Sequence, residues 1–392
     1  MLWAVPLLLA LAAEGSDLGT AEGHFARGVE LGRTGQIERA IGQCQSAIAL
    51  RPDFADAYFN LGALLHRERQ PEAAAEALRK VLSLQPRHAD ARNALGLIYE
   101  QQGEHAKAAV EFRQALTIEP RHPEAGRNLA IALAAEGHLA EAEAQARKAL
   151  ANQPRSAQTL ATLARIQEKG GRQTEAIASY RAAVALDGRL ADAQFHLGQL
   201  LTEAGRYHEA AEAFTAAAGA DPRNASYHYA LGRALQQDGR GPEAAEQFAE
   251  TKRLRDREKI EEQAHAANAA GVALAREGKL EEAAGRFQEA LRLNPDLADA
   301  HYNLGGVFLR RQDPQAAVPA LRAAIEQQPD FLDARRQLAA ALAACGDAGG
   351  AIEQYRAYLE LRPQSLDARY ELADLLAQRG DHAGVIHELS QA

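Results

Sequence analysis

Small and apolar side chains recur along the chain in two short clusters, and the pair of clusters returns every 34 residues. Prolines mark the frame: Pro52, Pro86, Pro120 and Pro154 stand 34 apart, Gly188 takes the next place and Pro222 the one after. Pro295, Pro329 and Pro363 resume the series after a longer gap. With the proline as position 32, units begin at 21, 55, 89, 123, 157, 191, 225, 264, 298, 332 and 366. Ten are full, five residues are inserted after the seventh, and the last stops at 27 residues. A fixed period of this length marks a repeat array, in which each unit buries its apolar face against its neighbours.

The positions within a unit predict two antiparallel helices. Position 7 is Leu in nine of eleven units, position 8 is Gly in seven and Ala in four, and position 20 is Ala in ten. Position 24 is bulky in most units: Phe112, Tyr180, Phe214, Phe248, Phe287 and Tyr355. Positions 7, 8 and 11 share one face of a first helix, and 20, 24 and 27 share one face of a second. Small residues at 8 and 20 let the two helices approach, and the side chain at 24 fills the space beside them. A Gly at position 15, from Gly35 to Gly380 in nine units, predicts a helix end with φ > 0. Pro71, Pro242 and Pro314 suit the start of a second helix. Pro319 falls inside one, where it removes a hydrogen bond and is expected to kink it.

Unit two reads ADAYFNLGALLHRERQPEAAAEALRKVLSLQPRH and unit nine ADAHYNLGGVFLRRQDPQAAVPALRAAIEQQPDF. These residues resemble the tetratricopeptide repeat family, over everything but the first 20 residues. The family's Trp at position 4 is absent. The resemblance implies an all-α fold, a right-handed α-solenoid of stacked antiparallel helix pairs with the first helices lining a concave groove. It also implies a non-enzymatic scaffold that binds a protein or peptide partner.

The array divides where the period breaks. Nine of the eleven residues from Lys252 to Glu262 are charged, with no Pro or Gly among them. The second helix of unit seven is therefore expected to run on. The organisation read here is residues 1–20 as a leader, 21–258 as seven units, 259–263 as a charged helical extension and 264–392 as four units. The extension is read as a solvated, salt-bridged helix rather than a hinge.

Composition narrows the function. Hydrophobic residues reach 47% but aromatics only 5%, which disfavours a β-sandwich. A net charge of −9 argues against nucleic acid as partner, since that needs a basic face. The run Leu2–Ala13, LWAVPLLLALAA, is too short to span a bilayer, which takes about 20 residues. It suits a secretory leader with Ala10-Leu11-Ala12 as a cleavage pattern, although no Lys or Arg precedes it. An exported location, periplasmic or extracellular, is expected, with no membrane span in the mature chain.

Chemistry is sparse. No phosphate-binding glycine loop, G-x-S-x-G or H-E-x-x-H occurs, the thirteen histidines are scattered, and Cys44 and Cys345 match no metal-ligand spacing. No enzyme activity, metal or cofactor is expected. Two ladders stand out. Position 2 is acidic in eight units, where a carboxylate offsets the helix dipole. Position 33 is Arg in six consecutive units (Arg87, Arg121, Arg155, Arg189, Arg223 and Arg257), which reads first as solvated turn residues and second as a row that could bind an acidic polymer.

The groove residues follow from the resemblance, which places positions 5, 6 and 9 of the first helix on its concave side. In units one to four, positions 5 and 9 are Phe25 and Val29, Phe59 and Ala63, Asn93 and Leu97, and Arg127 and Ile131. Position 5 is either packed between neighbouring helices or open to the groove; position 9 has less reason to be apolar unless it meets a ligand. A contiguous exposed apolar strip marks a binding site. An amphipathic helix or extended peptide is expected there, its apolar side chains on Leu97 and Ile131 and its backbone hydrogen-bonded to Asn60 and Asn128. Two rival readings stand beside this one. Asn60, Asn128 and Asn303 at position 6 look like fragments of the asparagine ladder of O-linked N-acetylglucosamine transferases, although those enzymes add a catalytic α/β domain. The other rival is a structural, self-assembling protein.

Overall fold

The computed structural model describes residues 19–362 and 365–391. The leader run and its cleavage pattern lie outside the described residues, as does Pro363. Among the described residues there are twenty-one helices and no strand. First helices such as Ala21–Arg33, Ala55–Arg67 and Ala89–Gln101 have 13 residues, and second helices such as Ile37–Leu50, Pro71–Leu84 and His105–Ile118 have 14. From Ala21 to Gln237 and again from Leu280 to Ser390, each first helix packs on its own second helix and each second helix on the next first helix. The protein is an all-α solenoid of stacked antiparallel helix pairs.

Three recurrent residues account for the pairing. The alanine at position 20 lies at the point of closest approach: Ala40, Ala74, Ala108, Ala142, Ala176 and Ala210 are all fully buried. Position 8 faces the bulky side chain at 24. A Cβ on Gly96, Gly198 or Gly271 would stand 2.6 Å from the ring of Phe112, Phe214 or Phe287, far inside contact distance. Unit one has Cys44 in the ring's place, where its Sγ would stand 3.1 Å from a Cβ on Gly28. Burial pushes the Cys44 thiol up to about 12, so it packs as a small hydrophobe rather than as a nucleophile.

The ends of the helices are set as locally. All nine position-15 glycines have φ between +72° and +86°. In units two and nine the same place is taken by Arg69 at φ 57° and Gln312 at φ 60°. The residue before the repeat proline is held extended, as at Arg51 (φ −138°, ψ 94°) and Gln85 (φ −130°, ψ 82°), because a following proline disfavours helical backbone. That stops the second helix. Helix Pro314–Gln327 continues unbroken through Pro319, whose missing N–H leaves only Gln315 without its helical donor.

The chain divides into two compact blocks, Met1–Lys252 and Arg253–Ala392. One helix of 36 residues, Gly241–Arg276, contains the division. Elsewhere a proline or glycine at position 32 breaks the helix; here the place falls to Asp256, within Arg255-Asp256-Arg257-Glu258. Arg257 pairs with Glu261 one turn on at 2.9 Å, an arrangement that supports helix. Among the described residues no helix is long and apolar enough to cross a membrane.

Candidate functional site

Adjacent first helices meet with a fixed offset of 35 residues, one more than the repeat. Asn128 Nδ2 donates to Asn93 Oδ1 at 2.9 Å, Asn303 Nδ2 to Asn268 Oδ1 at 3.0 Å and Gln337 Nε2 to the Tyr302 hydroxyl at 3.0 Å. The Tyr227 hydroxyl donates to Asp192 at 2.7 Å by the same offset. Position 6 of one unit therefore reaches back to position 5 of the unit before it. Both positions belong to the seam between first helices.

That seam takes up most of the residues expected in the groove of units one to four. Phe25, Val29, Phe59, Asn60, Asn93 and Asn128 are buried. Phe25 and Val29 pack with Ala57 of the next first helix, and the Phe25 ring lies 5.0 Å from that of Phe54. Phe59 stacks on His88 at 5.0 Å. Asn60 Nδ2 donates to the Asp56 carbonyl at 3.3 Å, and the Asn128 amide is spent on Asn93, with Arg127 donating to its Oδ1 at 3.4 Å. The expectation that Asn128 meets a ligand backbone is corrected accordingly, since its amide turns into the seam on Asn93 of the preceding first helix; Asn60 bonds only its own helix, and its Oδ1 is buried with no hydrogen-bond partner. Ala63, Leu97, Arg127 and Ile131 stay half-exposed, so the apolar row survives only at position 9. Asn303 is likewise spent on Asn268, and Asn60, Asn128 and Asn303 form no open ladder.

An open cleft occurs instead in the C-terminal block, on the first helices of units eight to ten. It has a volume of about 370 Å³. Val272, Val307 and Leu309 with the edge of Phe287 give it an apolar floor, and Tyr302, Asn303, Gly306 and Gln337 line one side. Arg276 and Arg310 stand at the rim, Arg310 holding the Ala275 carbonyl at 2.6 Å through one of its nitrogens. Gln337 gives its amide N–H to Tyr302, and its Oε1 is buried with no hydrogen-bond partner. A buried acceptor left in this state is costly, so the site favours a molecule that brings a donor. Burial raises the Tyr302 hydroxyl above its ordinary range, keeping it a neutral partner for Gln337. The cleft exists because position 9 of unit nine is Gly306; a Cβ there would first meet Gln337 Oε1, at 3.4 Å. Gly306 is the only glycine at position 9 in the eleven units, and that is the signal in the sequence that goes with the cleft.

A second polar cluster lies in the N-terminal block. Glu168 accepts from the Tyr180 hydroxyl at 2.7 Å and from His196 Nδ1 at 3.3 Å, the Tyr180 and His196 rings lying parallel at 5.9 Å. Burial raises the Glu168 carboxyl, but the hydrogen bonds from His196 and Tyr180 outweigh it and hold the group below the usual glutamate range. The cluster pins unit six to unit five. Among the described residues no group of His, Cys, Asp and Glu is placed to hold a metal.

Family models for the tetratricopeptide repeat match residues 67–123, 195–257, 268–331, 99–166 and 157–189, and a TPR repeat model matches 32–68. No curated protein matches the chain. Among solved structures, PilW, titled a widely conserved type IV pilus biogenesis factor, is 21% identical, covers 55% of this chain and 98% of its own, and has a TM-score of 0.49. YrrB, titled a TPR protein with an unusual peptide-binding site, is 20% identical over 58% of this chain and 96% of its own, with a TM-score of 0.31. A thermophilic TPR protein of Thermus thermophilus is 20% identical over 47% of this chain and all of its own, with a TM-score of 0.39.

Proposed function

This chain belongs to the tetratricopeptide repeat family, and we propose that it holds a peptide in the cleft of units eight to ten. Stacked repeats of this family form protein–protein interaction scaffolds, with long surfaces built from many units. The observation that carries the finer reading is the buried, unpartnered Gln337 Oε1 beside an apolar floor and two rim guanidiniums. A backbone N–H suits the acceptor, an aliphatic or aromatic side chain suits the floor, and a neighbouring carboxylate suits Arg276 and Arg310. A volume of about 370 Å³ accommodates one or two side chains, near the small end for ligand sites.

Gly306→Leu tests the reading, because the new side chain fills the cleft without a clash at Cβ. Peptides selected from a random library on the full chain are expected to carry an apolar residue next to an acidic one. G306L is expected to weaken the selected peptide at least tenfold in calorimetric titration. Equal affinity for the variant would refute the site.

The half-exposed Leu97 and Ile131 support a second contact row in units three and four. Loss of the same peptide in L97S/I131S, with G306L unaffected, would move the site there. The apolar run Leu2–Ala13 supports work outside the cytoplasm, in a periplasmic or extracellular assembly. The intact mass of the natively expressed protein tests that: a processed chain lacks residues 1 to about 12.

A further inference from the structure

Five turns in the N-terminal block, those of units two to six, are built alike; the turn of unit one has the same bond, Phe54 to Arg51 (3.1 Å), but carries Asp53. In each of the five, the backbone N–H at position 34 donates to the carbonyl at position 31: His88 to Gln85 (3.1 Å), His122 to Glu119 (3.0 Å), Ser156 to Gln153 (3.2 Å), Leu190 to Asp187 (3.3 Å) and Asn224 to Asp221 (3.3 Å). Position 33 of each turn is an arginine: Arg87, Arg121, Arg155, Arg189 and Arg223, all exposed. Among the described residues none of the five guanidiniums has a hydrogen bond or ion pair, whereas several helix and helix-end arginines of the same block do, as Arg113 with Glu141, Arg172 with Glu143 and Arg206 with Glu209. Of the nearby carboxylates, Glu119 and Glu124 have no side-chain partner among the described residues, and four are engaged elsewhere. Asp90 accepts from His122 and Asp192 from the Tyr227 hydroxyl, while Asp187 and Asp221 accept the backbone N–H of Arg189 and Arg223. The same turn in the C-terminal block carries the opposite sign, Asp296 and Asp330. The sixth arginine of the series, Arg257, lies within a helix and pairs with Glu261.

Equivalent positions of successive units form a row, stepped by the spacing of packed helices, about 10 Å. An extended polypeptide advances about 3.3 Å per residue, so every third side chain meets the same step. We infer that this row of turns in units two to six binds an extended acidic protein segment with a carboxylate at about every third residue. Each carboxylate takes a guanidinium edge-on, with two parallel N–H donors available. A nucleic acid fits less well: no aromatic side chain sits at positions 31 to 33 of these turns to stack bases, and the chain as a whole is at −9. This surface is separate from the cleft of units eight to ten.

The probe is a labelled 15-residue peptide, five repeats of Glu-Gly-Ser, titrated against the full chain at low salt. Saturable binding is expected, weakening as salt shortens the Debye length below the spacing of the row. An exposed ion pair contributes a factor of about two to five, so R121Q/R155Q/R189Q is expected to lose about tenfold or more with helicity unchanged. A charge-matched control at three exposed arginines within helices rather than turns, R165Q/R233Q/R322Q, and the cleft variant G306L are expected to bind as the parent does. The inference is overturned if the parent does not bind the peptide, or if the turn triple binds as tightly as the parent. Equal loss in the control, loss in G306L, or tighter binding of a 15-nucleotide single strand than of the peptide would overturn it as well.

Discussion

The two blocks of this protein share a repeat and differ in what they show to solvent. At position 33 units two to six of the N-terminal block have unpaired arginines, where unit one has Asp53 and the C-terminal block has Asp296 and Asp330, on the same backbone turn. At position 9 the N-terminal block has Ala63, Leu97 and Ile131 half-covered in a closed row, and the C-terminal block has Gly306 and an open cleft. The contrast separates two kinds of position. Those at 8, 20 and 24 are tied to one another by contact and cannot vary alone. Position 33 touches nothing that the repeat needs, and position 9 is tied in only where it packs into the seam, as at Val29, so partners can act on the open ones one unit at a time.

Core truncation tests the separateness of the blocks most strongly. Phe112 and Phe287 occupy the same position and are both buried against a glycine. Phe112→Ala and Phe287→Ala are each expected to cost about 3–5 kcal/mol. Solenoid stability is a sum of local and nearest-neighbour terms, so each loss is expected to stay in its own block. Hydrogen exchange followed by peptide mass spectrometry reads this directly. Equal loss of protection in both blocks from either variant would show that they unfold as one.

Acid is expected to act next most strongly, and on the N-terminal block. His122 accepts the backbone N–H groups of Glu124 and Ala125 at Nδ1 (both 3.2 Å), so its Nε2–H faces Asp90 at 3.2 Å. That bond holds the Asp90 carboxyl below its ordinary range. Burial raises Glu143, but hydrogen bonds from Arg172 (2.6 Å) and Arg147 (2.8 Å) outweigh it and the group is also held down. With Glu168, these are carboxylates whose folded value lies below the unfolded one. Their contribution is fully present above the unfolded value, about pH 4, and is lost as pH falls through the lowered folded values. The N-terminal block is therefore expected to lose exchange protection below about pH 4, and Asp90→Asn to remove part of that dependence. Protection unchanged down to about pH 3, a full unit below the unfolded value, would break the account.

The repeat fold was legible because its determinants are local and repeated. Gly96 opposite Phe112, Ala108 at the helix contact and Gly103 at the helix end each recur at a fixed place, and each has a steric reason. The groove was legible only in part. The resemblance turns Asn60 and Asn128 to a concave face and leaves Phe25 and Phe59 either packed between helices or open, whereas burial depends on how neighbouring first helices meet, offset by 35 residues. One residue beyond the period decides whether a side chain faces solvent or seam, and that offset appears only once two units are stacked. The cleft is hidden in the sequence for the opposite reason: it goes with one departure from the pattern, Gly306, and with a glutamine whose unpartnered Oε1 is a property of the folded chain. The arginine row was visible in the sequence, but its unpaired state is a property of the folded turns.

The smallest expected effect compares the blocks at the one place where both break their own rule. Arg69 in the N-terminal block and Gln312 in the C-terminal block hold φ near +60°, where nine other units have glycine. A left-handed conformation costs a residue with a Cβ roughly 1 kcal/mol, and glycine avoids that cost. Glycine also gives the unfolded chain more freedom, which takes back part of the gain. In both units a proline opens the following helix two residues on, Pro71 and Pro314, and fixes the backbone just past the turn. The glycine's extra unfolded-state freedom is thus confined to a short span. Arg69→Gly and Gln312→Gly are each expected to stabilise their own block by about 0.5 kcal/mol, read as a higher urea midpoint at unchanged slope. Among the described residues neither side chain has a hydrogen bond or ion pair, so nothing else is lost with it. A fall in midpoint for either variant would show that the arginine or glutamine does more at the turn than tolerate it.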